Sequence, residues 1–133
     1  MNTKPQVLLV SSGEATGLKD ILRRQADLAE AGSIPEMVRE LAGREFDVIV
    51  CEREFPEGNW REALQALQAR RVAAPAIVVS QTSGVEEGIE EWAEVLEAGA
   101  FDLLLAPSQE YSVLTIIEHA LASGQARAMR AAV

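Results

Sequence analysis

Four short, uninterrupted apolar runs punctuate the chain, at residues 7–10 (VLLV), 48–51 (VIVC), 76–79 (AIVV) and 103–105 (LLL). None of them alternates with polar residues, as a strand with one wet face would. Each is too short to be a helix of its own, and far short of the roughly 18 residues a membrane span needs. Strands buried on both faces read this way, and such strands belong to parallel sheets covered by helices on two sides.

The stretches between the runs carry helical spacing. Leu18, Ile21 and Leu22 lie at i, i+3, i+4, and Trp60, Leu64 and Leu67 repeat the pattern. Ile89, Trp92, Ala93 and Leu96 form a third stripe, and Val113, Ile116, Ile117, Ala120 and Leu121 a fourth. On this reading Trp60 and Trp92 are core residues. Ser33 and Asn59 each precede a glutamate by three positions, the signature of a capped helix start. Gly32, Gly43, Gly99 and Gly124 fall where helices should stop. Residues 26–31 read as a short second strand, because a helix from Thr16 to Ala42 would have to pass through Gly32 and Pro35. The expectation is one domain over residues 1–133. It is an α/β fold with five βα units and strands near 6–10, 26–31, 47–51, 75–80 and 101–105. Chemistry in such a sheet gathers at the carboxyl ends of the strands, here Ser11-Ser12, Cys51-Glu52, Ser80-Gln81 and Ala106-Pro107.

Charge and cysteine usage narrow the function. The 21 acidic and 12 basic residues give a formal net charge of −9. The arginines are scattered, so no basic patch for nucleic acid is expected. Cys51 is the only cysteine, which leaves no internal disulfide and no zinc cluster. It reads as a buried thiol at a strand end, with a reactive thiol as the alternative. The N-terminal residues show no signal-peptide pattern, so a cytoplasmic location is the default expectation, with no membrane partner. His119, the only histidine, falls in the last helix and reads as a surface or groove residue. No Ser-His-Asp or Cys-His set, and no phosphate-binding glycine loop after the first strand, can be assembled.

The strand ends resemble those of response-regulator receiver domains of two-component signalling, with a flavodoxin-like, doubly wound sheet and helices on both faces. The resemblance is carried by Phe46-Asp47-Val48-Ile49-Val50-Cys51-Glu52 with Pro56 four residues beyond, by Pro75-Ala76-Ile77-Val78-Val79-Ser80, and by Gly99-Ala100-Phe101-Asp102-Leu103-Leu104-Leu105-Ala106-Pro107. It implies that Glu52 stands where receivers carry the phosphoacceptor aspartate, and that Ser11 and Ser12 stand where they carry an acid pair. Ala106 takes the place of a lysine. Ser80 matches the family's hydroxyl switch, while Leu103 replaces its aromatic switch residue.

These departures bear on chemistry. Transfer of a phosphoryl group to a carboxylate is helped by Mg²⁺, which binds oxygen ligands octahedrally and offsets negative charge. Two neutral hydroxyls and an alanine supply neither the ligands nor the second positive charge. Glu52 carries an extra methylene that displaces its oxygens by roughly 1.5 Å, a misplacement that can cost about 100-fold in rate. The expectation is a degenerate receiver, not an enzyme, with no cofactor and no bound Mg²⁺. Glu14, Glu52 and Glu54 are the weak candidates for a cation. Glu52 has two open readings: a solvated strand-end residue, or a fixed negative charge hydrogen-bonded to Ser80 or to backbone N–H groups.

The implied role is protein–protein interaction within a signalling pathway, with a histidine kinase or an output protein as partner. A homodimer through the last two helices and the fifth strand is also expected, with Tyr111, Val113, Leu114, Ile117 and Leu121 as candidates. The alternatives are an atypical receiver that is still phosphorylated, and a small flavodoxin-like enzyme or nucleotide binder.

Overall fold

The apolar runs pair side by side. The computed structural model describes residues 4–13, 16–80, 85–105 and 110–132. The strands are β1 (Gln6–Val10), β2 (Asp27–Ala31), β3 (Val48–Glu52), β4 (Glu54–Phe55), β5 (Gly58–Asn59), β6 (Ala76–Ser80) and β7 (Asp102–Leu105). The helices are α1 (Thr16–Gln25), α2 (Ile34–Gly43), α3 (Trp60–Ala69), α4 (Val85–Glu97) and α5 (Glu110–Ala132). β1, β2, β3, β6 and β7 form one parallel sheet in the order β2-β1-β3-β6-β7, as the alternation of strand and helix implies. β4 and β5 form a small antiparallel hairpin directly after β3, which the sequence reading did not anticipate.

Successive residues of each strand enter opposite cores. Leu8, Val10, Ile49, Cys51, Val78 and Leu103 meet Met37 of α2, Trp60 and Leu64 of α3, and Val95 of α4. Val7, Leu9, Val48, Val50, Ile77 and Leu104 meet Ile21 and Leu22 of α1 and Val113, Ile117 and Ala120 of α5. Each fully buried aliphatic side chain contributes about 1.5–3 kcal/mol, which is why neither strand face tolerates polar residues.

The helix ends follow local chemistry. Ser33 Oγ accepts from the Glu36 N–H (3.3 Å), and Asn59 Oδ1 accepts from the Glu62 N–H (3.1 Å), so both expected caps form. After α4, Gly99 adopts φ +104, with the Gly99 N–H bonded to Leu96 O (3.1 Å) and the Ala100 N–H to Val95 O (3.0 Å). This is a Schellman ending with glycine in its left-handed position. After α3 the same pair of bonds runs from the Arg71 N–H to Gln68 O and from the Val72 N–H to Leu67 O, both 3.0 Å, with Arg71 at φ 55. Gly124 does not stop its helix; α5 runs on to Ala132, since one glycine costs a helix only about 1 kcal/mol.

α4 departs most from expectation. Its stripe of Ile89, Trp92, Ala93 and Leu96 is not the core face. Gly88 and Val95 are buried with Glu91 half-buried between them, while Ile89 is 60% and Trp92 48% exposed. Trp60 is core, as expected; Trp92 is not. On α5, Val113 and Ile117 are core and Leu114 and Leu121 half-buried, so the candidate docking stripe there is largely spent on packing. The Tyr111 side chain lies outside the described residues.

Candidate functional site

The sheet reverses its winding direction between β1 and β3, which opens a crevice at their carboxyl ends. β1 delivers Ser11 and Ser12 to it, and β3 delivers Glu52. Glu52 Oε1 accepts a hydrogen bond from the Ser12 N–H at 2.9 Å and a longer one from Ser12 Oγ at 3.4 Å. This N–H belongs to the loop after β1; residues 81–84, where Glu52 was expected to find partners next to Ser80, lie outside the described residues. Ser11 is buried; its N–H donates to Ala31 O (2.9 Å) and its Oγ accepts from the Gly13 N–H (3.0 Å). That Ser-x-Gly turn, with Gly13 at φ +94, commits the Ser11 hydroxyl to holding the loop.

Beside Glu52 the Cys51 thiol is buried and donates to Glu52 O at 3.2 Å. Cys51 is thus buried, as expected, and burial, then the Glu52 charge, push its pKa up to about 12. Glu54 is exposed on the β4–β5 hairpin, in register with Asn59. Among the described residues no three His, Cys, Asp or Glu side chains gather as a metal site. Glu14 and Ala106 lie outside the described residues. His119 is exposed on α5.

The two residues expected at the switch positions come together one strand further along. Ser80 and Leu103, both buried, line a cavity of about 10 Å³ with Trp60, Val78, Arg53 and Glu91. That is room for about one water molecule.

A pair of ion pairs, missed in the sequence, closes this region. Arg53, the residue after Glu52, reaches α4, where its Nη1 lies 2.6 Å from Glu91 Oε1. Arg61 of α3 pairs with Glu94 of α4 and stacks its guanidinium 4.5 Å above the Trp60 ring. Arg53 is itself fixed to the sheet, its N–H donating to Val79 O (2.9 Å) and its carbonyl accepting from the Trp60 N–H (3.0 Å). The second carboxylate oxygen of Glu91, Oε2, is buried without a hydrogen-bond partner. Partners 38 and 33 positions apart leave no local pattern to read in a sequence.

No family model matches the chain. Among curated proteins it is 30% identical over 86 residues to the response regulator protein PilR of Pseudomonas aeruginosa, a match covering 64% of this chain and 18% of that protein. The chain spans about a fifth of the length of the curated relatives it matches. Solved structures agree on the architecture. The signal receiver domain of an HD domain-containing protein from Pseudomonas fluorescens Pf-5 superposes with a TM-score of 0.80 at 20% identity, covering 98% of this chain and 96% of that one. The signal receiver domain of a putative Luxo repressor protein from Vibrio parahaemolyticus gives 0.79 at 15% identity, covering 95% and 96%. With its five-stranded parallel sheet, two covered faces and strand-end crevice between β1 and β3, the chain has the flavodoxin-like fold of response-regulator receiver domains.

Proposed function

We propose that the chain is a receiver-fold signalling module of the two-component type, which engages a protein partner without a phosphorylation cycle. The observation that carries the reading is the state of Glu52. At the position of the acceptor its carboxylate already takes the Ser12 N–H and lies against a neutral serine. The donor set does not suit magnesium: Ser11 is committed to its own turn, Ser12 is neutral, and among the described residues no three acidic, histidine or cysteine side chains gather around Glu52. Receivers resembling this chain answer to a histidine kinase or pass a signal to an output protein, and the same classes of partner suit this module.

Intact mass after incubation with acetyl phosphate and Mg²⁺ tests the reading. The expected result is an unchanged mass. A gain of about 80 Da for one phosphoryl group, mapped to Glu52, overturns it in favour of an atypical, phosphorylated receiver. The Glu52→Gln variant separates a charged element from a passive one, because it keeps the shape and removes the charge. Unchanged NMR shifts at Ser12 and Ser80 in that variant would leave the carboxylate without a signalling role.

A further inference from the structure

We draw no further inference here: the strongest candidate, the open cleft of about 120 Å³ at the amino ends of β6 and β7, lined by Leu67, Gln68, Pro75, Ala76, Gly99 and Phe101, has no charged side chain among its described walls, and nothing in the structure shows what would occupy it.

Discussion

Replacing Glu91 with leucine should stabilise the protein, although it destroys an ion pair. Glu91 lies on the inner side of α4, with a side chain 16% exposed, while its partner Arg53 is 51% exposed. An ion pair with one half in water contributes about 1 kcal/mol at most. Against it stands the buried Oε2, which has no partner, and a buried polar atom left unsatisfied costs about 1–3 kcal/mol. Leucine removes that penalty, matches glutamate in helix propensity, and adds hydrocarbon beside Trp60, Val78 and Leu103. The net expectation for Glu91→Leu is a gain of about 1–2 kcal/mol, or roughly 4–8 °C in Tm. Arg53→Ala alone should instead cost about 2 kcal/mol, since it leaves a half-buried carboxylate with neither oxygen paired. The same change in the Glu91→Leu background should cost less than about 0.5 kcal/mol. Urea unfolding followed by Trp fluorescence measures all four proteins of the cycle. A loss of 1 kcal/mol or more in Glu91→Leu refutes the reasoning and means that Oε2 is satisfied by a tightly held water or ion.

Three further outcomes are expected. Arg71→Gly should raise stability by about 0.5 kcal/mol in thermal unfolding, because the left-handed backbone at φ 55 strains any residue with a Cβ by somewhat more than glycine loses in unfolded-state entropy; a decrease would mean the arginine side chain contributes elsewhere. Glu30 of β2 is held below the usual carboxylate range by hydrogen bonding to Lys19 (2.7 Å), aided by Arg23 (2.9 Å). Its stabilisation is therefore present above the unfolded value near 4.5 and is lost as pH falls through the folded value. Solvent screening limits the effect, so Glu30→Gln should cost no more than about 0.5 kcal/mol at pH 7, with the difference shrinking as pH falls below 4.5. Cys51 should resist a disulfide-exchange reagent at pH 8 in the native chain and react at once in denaturant; prompt native labelling would place the thiol outside the core.

The sheet was legible because its strands are buried twice over, which leaves runs with no polar residue. β2 was legible only by elimination, since Asp27-Leu28-Ala29-Glu30-Ala31 is an edge strand whose outward residues are polar. The β4–β5 hairpin was not, because two-residue strands carry no period. On α4 the spacing of Ile89, Trp92 and Leu96 correctly announced a helix with an apolar face. Periodicity says nothing of what covers that face, and here the sheet takes the opposite one. At the site, Ser11, Ser12, Glu52 and Ser80 could be placed from the strand ends alone. The partner of Glu52 could not, since a serine N–H is invisible among side-chain types. Nor could the Arg53–Glu91 tie, which depends on how α4 is rotated.

The bond between Glu52 and the Ser12 N–H spans the crevice between β1 and β3, where open α/β sheets receive their ligands. Glu52 thus supplies a carboxylate to that crevice. A tethered carboxylate competes at an effective concentration in the millimolar range or above. A free phosphate or nucleotide arriving at micromolar levels must displace it and then tolerate its negative charge a few ångströms away. Any anion that enters the crevice therefore meets a carboxylate already hydrogen-bonded there.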